Sequence, residues 1–411
     1  MERSMRRIIF LVDMNAFFIS CEMAQNPELK GHPAAVAGDP KNRSGIILAA
    51  NYDARAFGVK TTMLIHEAKK LCPGLILVPP THGLYEKKSR EVMDILSHYT
   101  PVIQQNSIDE AWLDLTGCEA LFGEPLTIAH SIMDRIMAEL DLWCSIGISD
   151  NKFLAKMASE IKKPLGITEL WEKDVKEKLW PLKVRDMYGI GKQTEKRLNG
   201  IGIMTIGDLA CCDTRTLSAN FGRYGSELKN LANGIDTSHV TPHPKAESRS
   251  VSRSTTLSSD TVDMEYARSV LLHLSEEVGE DARRNDFKGK TVSIVIKYDD
   301  FKSVTRQKTI PLSYLTKDIY KTGAELLEDN WDRKKPIRLL GIVLANIDEE
   351  MPEQLSIFDV DDKLPDDVRR EEKLEKAMDA IRMRFGSDKL KRAKLVNDHM
   401  RHGKKDNREN T

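Results

Sequence analysis

At 411 residues, with 40% hydrophobic and 30% charged side chains, the chain is long enough for two to four ordinary domains and too rich in core-forming residues to be collagen-like, low-complexity or wholly disordered. Its formal charge of −1 conceals an asymmetry, because residues 348–367 carry nine acids and one base and leave the remainder at +7. A mildly basic bulk permits a polyanionic partner without requiring one, so motifs must carry that claim. No apolar run approaches the ~20 residues of a membrane-spanning helix, and MERSMRRIIFLVD reaches Asp13 before a signal-peptide core is complete. A soluble, unexported chain without a membrane partner is expected. The six cysteines show neither a CxxC pair nor zinc-like spacing with histidine, which fits reduced structural thiols and a cytoplasmic location.

In chain order, RRIIFLVDMNAFFISCEMA predicts a buried strand, Ile8 to Val12, that ends at Asp13 and runs into a helix beginning near Ala16. AAVAG predicts a short strand, SGIILAANYDARAFGV a strand followed by a helix, and THGLYEKKSREVMDILSHYT an amphipathic helix. VIQQNSIDEAWLDLTG predicts a strand pair with a turn around Ser107 to Glu110. Together these make an α/β domain. From about Trp171 the pattern turns helical, with glycine-punctuated YGIGKQTEKRLNGIGIMTIGDLA and FGRYGSELKNLANGID. TSHVTPHPKAESRSVSRS reads as a linker, and the strands and two amphipathic helices after it predict a compact α+β domain. The acidic stretch from Asp348 reads as a turn-rich tail with a last helix near Leu374 to Phe385.

Asp13 at the end of an apolar strand, and Asp109 with Glu110 at a strand-pair turn, are the candidate metal ligands. Aspartate is disfavoured in strands and costly to bury unpaired, and none of the three acids has a basic partner within its own motif. Three acids brought together repel one another unless cations sit among them, and oxygen-only ligands suit Mg²⁺. From spacing alone a blander reading stands beside this one, in which Asp13 caps the following helix and the Asp-Glu pair forms a solvated turn.

VDMNAFF (Val12 to Phe18), AANYDARAFGVKTTM (Ala49 to Met63), SIDEAWLD (Ser107 to Asp114), SIGISDNKFLAKMASEIKKPLG (Ser145 to Gly166) and YGIGKQTEKRLNGIGI (Tyr188 to Ile203) resemble, in this order, the motifs of Y-family translesion DNA polymerases, with the DNA polymerase IV branch as the nearest match. The resemblance spans residues 6 to about 348 and implies a multidomain right-hand polymerase of α/β and α+β parts. By that likeness the palm is residues 1–16 and 80–171, the fingers 17–79, a helix-hairpin-helix thumb 172–238, a linker 239–247, the little finger 248–348 and an acidic tail 349–411. Every segment is then allocated, leaving no room for a proofreading exonuclease.

The resemblance also implies roles. Asp13, Asp109 and Glu110, with the backbone carbonyl of Met14, hold two Mg²⁺ ions for phosphoryl transfer onto a primer. Many relatives carry Asp where this chain has Asn15, a position outside the metal set. Tyr52 and Arg55, three residues apart on one helix, and Lys163 bind the triphosphate of the incoming dNTP. Phe17 and Phe18 belong to the nucleotide site. Phe18 lies beneath the sugar as the steric gate and Phe17 turns into the fold, while Ile46 and Leu48 roof the nascent base pair. The Gly189-Ile190-Gly191 turn with Lys192 binds a phosphodiester through exposed N–H groups. Arg249, Arg253 and Arg306, with Lys297, Lys302 and Lys308, place cations along strands that face a duplex backbone. QLSIFD resembles the peptide by which bacterial polymerases dock on the sliding clamp, through Gln354, Leu355, Ile357 and Phe358. The expected partners are therefore primer-template DNA, dNTPs and a clamp, for a monomeric enzyme. A catalytically silent DNA-binding scaffold, or a polymerase V-type subunit that needs accessory proteins, are the rivals.

Overall fold

A strand buried along its whole length needs neighbours on both edges and cover on both faces, and Ile9–Met14 (β1) has them. The computed structural model describes residues 6–39, 45–242, 250–347, 366–386, 389, 390 and 392. The chain divides into two units, residues 1–40 with 44–244 and residues 41–43 with 245–411.

In the first unit β1 leads into α1 (Phe17–Gln25), β2 (Ala34–Ala37), β3 (Ile47–Ala50), α2 (Tyr52–Ala56), α3 (Ile65–Leu71), β4 (Ile76–Val78) and α4 (Leu84–Ser97). There follow β5 (Ile103–Gln105), β6 (Glu110–Asp114), α5 (Glu119–Phe122), α6 (Pro125–Leu140), β7 (Cys144–Ser149), α7 (Lys152–Ile161) and β8 (Ile167–Glu169). The main sheet runs β5-β6-β1-β7-β8, with β1 antiparallel to both β6 and β7, and a small sheet runs β3-β2-β4. Phe10, Val12, Leu113, Ile146 and Ile148 meet side chains of α4 and α6, such as Ile95 and Ile132, on one face. On the other face α7 lies unusually close to β7, because position 147 is glycine. A Cβ there would come within 2.0 Å of the Ala155 carbonyl oxygen and 2.5 Å of the Ser159 nitrogen. The helical region continues with α8 (Lys192–Asn199), α9 (Ile206–Cys211), α10 (Thr214–Phe221) and α11 (Arg223–Ala232), closed over Leu179, Leu198, Leu209 and Leu228.

The second unit contains β9 (Ser250–Thr261), α12 (Met264–Arg284), β10 (Gly289–Tyr298), β11 (Ser303–Ser313), α13 (Thr316–Asn330), β12 (Ile337–Ile347) and α14 (Asp366–Phe385). Its antiparallel sheet is ordered β11-β10-β12-β9 and packs Ile294, Ile296, Ile342 and Leu344 against α12 and α13. Helix α14 is longer than its sequence suggests and is part of this unit, not of a free tail. Its acids find bases on the body: Glu372 pairs with Lys288 at 2.9 Å and Glu371 with Lys317 at 2.7 Å. Composition reads such a segment as solvated because composition cannot see where the opposite charges lie.

Candidate active site

Register brings the acids together. Asp13 and Glu110 are direct partners across β1 and β6, and the Met14 N–H donates to the Asp109 carbonyl at 2.9 Å, which fixes the turn before β6 against the end of β1. Like charges directly opposite in a sheet destabilise it. The structure compensates with a lysine to which the sequence reading assigned no role. Lys156, from α7, donates to Asp13 Oδ2 at 2.8 Å, Glu110 Oε2 at 2.7 Å and Glu160 Oε1 at 2.9 Å, with only 9% of its side chain exposed. The partner thus lies outside the acids' own motifs, on a helix that Gly147 admits close to the sheet. Lys163 donates to Asp13 Oδ1 and Glu160 Oε1, both at 2.9 Å. Burial alone would raise the Asp13 carboxyl, but the two ammonium groups outweigh it and hold its pKa below the usual carboxylate range. Burial likewise works against the charged forms of Lys156 and Lys163, and Asp13 reverses it in both, so their pKa values lie above that of an ordinary lysine.

These groups line a cavity of about 410 Å³ shared with Phe17, Phe18, Leu48, Tyr52, Arg55, Ser107 and Asp109. Asp109 accepts from the Ser107 hydroxyl at 2.6 Å. Asn51 caps α2 by accepting from the Ala54 N–H, and that short helix carries Tyr52 and Arg55 to the cavity. The Arg55 guanidinium lies 4.9 Å over the Tyr52 ring and donates to the Ala50 carbonyl at 2.9 Å. The Tyr52 hydroxyl is buried without a hydrogen-bond partner. An orphaned donor facing a cavity is a place for a ligand's acceptor atom.

Phe17 is buried in the core while Phe18 reaches the cavity edge, stacked on Tyr85 with centroids 4.4 Å apart. Tyr85 in turn donates to the buried Glu22 carboxylate at 2.6 Å, and Glu22 also accepts from the Thr81 N–H and hydroxyl. Asn15 is 2% exposed and uses both ends of its amide, donating to Ser145 Oγ at 3.1 Å and accepting from the Leu165 N–H at 2.9 Å. An aspartate would lack the N–H that Asn15 gives Ser145 Oγ, though it could still accept from the Ser145 hydroxyl, as Asn15 Oδ1 does at 3.2 Å.

The donor set fits divalent cations in its chemistry. It is oxygen-only, excess in negative charge, open to a cavity, and already holds ammonium groups at 2.7–2.9 Å among its carboxylates. Among the described residues, however, no three His, Cys, Asp or Glu side chains converge as an ion cage. Both Asp13 oxygens are instead engaged by lysines. Sequence reasoning missed Lys156 and Glu160. Their signal was a lone lysine in FLAKMAS, a helix stretch otherwise apolar or small and buried from Phe153 to Ser159, with a glutamate one turn on.

Of the other predicted residues, Gly189, Gly191 and Lys192 are exposed at the start of α8, where Gly191 provides no side-chain cap, and Gly189 takes φ +90°. In the second unit the register aligns Arg306, Ile294, Ile342 and Arg253 in one row. Both arginines therefore share the helix-covered face, at the two edge strands. Arg253 pairs with Asp281 of α12 and Arg306 donates to Asn330 of α13 at 3.1 Å. The opposite face presents Ser252, Ser254, Thr305 and Gln307 beside Gly341 and Val295. Arg249 and Gln354, Leu355, Ile357 and Phe358 lie outside the described residues.

A sheet that brings carboxylates to one end, beside a helix-borne tyrosine-arginine pair and a small helical region with a glycine hairpin, is the plan of a nucleotidyltransferase acting on nucleic acid. Residues 12–160 match the impB/mucB/samB family, residues 172–203 the IMS family HHH motif, and residues 248–357 the impB/mucB/samB family C-terminal domain. The chain is 55% identical over 395 residues to a DNA polymerase IV of Clostridium kluyveri, spanning 95% of this chain and 99% of that one. It is 50% identical to a DNA polymerase IV of Alkaliphilus oremlandii over 95% of this chain and 100% of that one, and 40% identical to DNA polymerase IV 1 of Bacillus subtilis over 94% and 92%. A solved Y-family DNA polymerase chimera, Dbh-Dpo4(243-245)-Dbh, is similar at TM-score 0.73 and 26% identity, covering 83% of this chain and 99% of the chimera. The chain belongs to the Y-family DNA polymerases, in the DNA polymerase IV group. It is accordingly a template-directed, low-fidelity translesion DNA polymerase, dependent on a divalent metal and acting on primer-template DNA and dNTPs. No helix among the described residues is long and apolar enough to cross a membrane.

Proposed function

We propose that Asp13, Asp109 and Glu110, with the Met14 carbonyl, would hold two Mg²⁺ ions, for a reaction in which a primer 3′-hydroxyl displaces pyrophosphate from the α-phosphate of a dNTP. The observation that carries this reading is the pairing of Asp13 with Glu110 across β1 and β6, with Asp109 alongside, at the wall of the cavity that also holds Tyr52, Arg55 and Phe18. Bound ions supply Lewis acidity, activating the hydroxyl and neutralising charge on the triphosphate. The protein does the positioning. Arg55 and the unpartnered Tyr52 hydroxyl take phosphate oxygens, and Lys163 exchanges its carboxylate partners for phosphate, so charge on the departing pyrophosphate meets fixed donors. Phe18, braced on Tyr85, fills the volume a 2′-hydroxyl would need and offers it no hydrogen bond.

The domain roles follow the same reading: palm and fingers around this cavity, a thumb at 172–238 and a little finger at 248–348. The N–H groups beside Gly189, Gly191 and Lys192 grip a phosphodiester and Arg249 adds charge toward DNA, whereas Arg253 and Arg306, bonded to Asp281 and Asn330, are withdrawn from that role. Residues 354–358 dock a sliding clamp, and replacing Leu355 and Phe358 by Ala should leave insertion without clamp unchanged while removing clamp stimulation. The enzyme works as a cytoplasmic monomer, in keeping with six free cysteines. The test is primer extension by the purified chain alone with primed template, dNTPs and Mg²⁺. Extension supports the reading, DNA binding without extension supports a silent scaffold, and extension only with accessory proteins supports the polymerase V-type alternative.

A further inference from the structure

Lys156 is deeply placed for a lysine that contacts three acids at the rim of a cavity. All three of its ammonium hydrogens are used, on Asp13 at 2.8 Å, Glu110 at 2.7 Å and Glu160 at 2.9 Å, and the Tyr188 ring lies 5.9 Å from the nitrogen. Two of those acids are the residues read above as metal ligands, and they sit directly opposite each other in the sheet. Without a cation between them the register of β1 against β6 would bring two uncompensated carboxylates together. A lysine in this place therefore does two things at once. It supplies the charge that lets the acids stay paired when no ion is bound, and it competes with any ion for the same oxygens.

We infer that Lys156 is a resident placeholder cation, a positioning residue that holds Asp13 and Glu110 in register in the ion-free protein and keeps divalent ions weakly bound until a nucleotide's phosphates contribute further ligands. This inference rests on the reading of Asp13, Asp109 and Glu110 as the metal set. Mg²⁺ binds by a few carboxylates together with substrate phosphates, so a site whose carboxylates are partly occupied favours the ion that arrives with a triphosphate. Lys163 contributes in the same sense at Asp13 Oδ1, but it is more exposed, and its second partner is the half-exposed Glu160. Lys156 is the buried member and the stronger test.

The experiment compares the full chain with Lys156→Met, which keeps the stem and removes the charge, and Lys156→Arg, which keeps the charge. Mn²⁺ binding without nucleotide is followed by electron paramagnetic resonance, and melting is followed in EDTA and in Mn²⁺. Removing a full charge within 3 Å of two ligands should tighten Mn²⁺ binding at least about tenfold in Lys156→Met and leave Lys156→Arg near the parent. In EDTA, Lys156→Met should melt several degrees below the parent, and Mn²⁺ should raise its melting temperature by more than it raises the parent's. If Lys156→Met does not fold, Lys156→Gln is measured with the same expectations. Unchanged or weaker Mn²⁺ affinity in the uncharged variant would overturn the placeholder role while leaving the metal set intact, provided the parent binds Mn²⁺ with dNTP present and Asp13→Asn does not. Absence of binding in the parent even with dNTP would overturn the metal reading and the placeholder together.

Discussion

Each unit of this molecule contains a buried network of ions, and the two differ in the property that separates a site from a staple. In the second unit, Arg283 grips Asp379 through two nitrogens, at 2.6 and 3.0 Å, and also pairs with Glu375. Arg382 and Arg392 converge on Glu276, at 3.2 and 2.8 Å, and Arg392 reaches Glu375 at 2.9 Å. Three arginines meet three acids, and Glu375 additionally accepts from the Thr316 N–H and hydroxyl. The charges cancel and the hydrogen bonds close. In the first unit four carboxylates, Asp13, Asp109, Glu110 and Glu160, are set against three bases, Lys156, Lys163 and Arg55, an excess of one negative charge beside a cavity of about 410 Å³ with an unpartnered tyrosine hydroxyl. A balanced buried network fixes the α12–α14 packing. An unbalanced one is kept because something positive completes it.

The largest effect that could break this contrast is on chemistry. Asp109→Ala should reduce single-nucleotide incorporation by roughly a thousandfold, the scale of losing several kcal/mol of transition-state charge stabilisation, while melting stays near that of the parent. Incorporation within about tenfold of the parent would remove Asp109 from the metal set. The mirror experiment is Arg283→Met. Stranding Asp379 and taking from Glu375 one of its two arginines should cost about 3–5 kcal/mol of stability in denaturant unfolding, with incorporation per folded molecule unchanged. A loss of chemistry without loss of stability there would erase the distinction between staple and site.

Next in size is Phe18→Ala, which should raise ribonucleotide use relative to deoxyribonucleotide by about tenfold or more, given about 1–3 kcal/mol for steric discrimination in a pocket. An unchanged ratio in an active variant would place the gate elsewhere. The smallest effect concerns the wall behind the acids. Burial pushes the Cys144 thiol, opposite Met14 in the sheet, up to about 12, and burial does the same to Cys21. Thiolate is then scarce below that pH, so at pH 8 a disulfide reagent should modify exposed Cys211 and spare both buried thiols. Rapid labelling of Cys144 would mean that the β1–β7 wall opens.

Much of the site was legible because its residues announce themselves by being out of place. An aspartate ending IIFLVD, an Asp-Glu pair at a strand turn and a tyrosine-arginine pair on one helix turn are each unusual locally, and the fold brings them to one cavity. What stayed hidden was complementary charge. Lys156 belongs with Asp13, 143 residues away, and Arg283 with Asp379, 96 residues away, and no local pattern encodes such partners. The same blindness made α14 look like tail. It also put Arg253 and Arg306 on an open strand face, whereas register, which shifts by one residue without changing composition, turns them toward the helices.

The most direct test of the central claim is a Mn²⁺ titration, in the presence of dNTP, of the parent, Asp109→Ala and Arg283→Met, read by electron paramagnetic resonance on folded protein. The unbalanced network predicts binding by the parent and by Arg283→Met, and at least about a tenfold loss in Asp109→Ala. Equal binding by all three proteins would contradict the assignment of the metal centre to the β1–β6 acids.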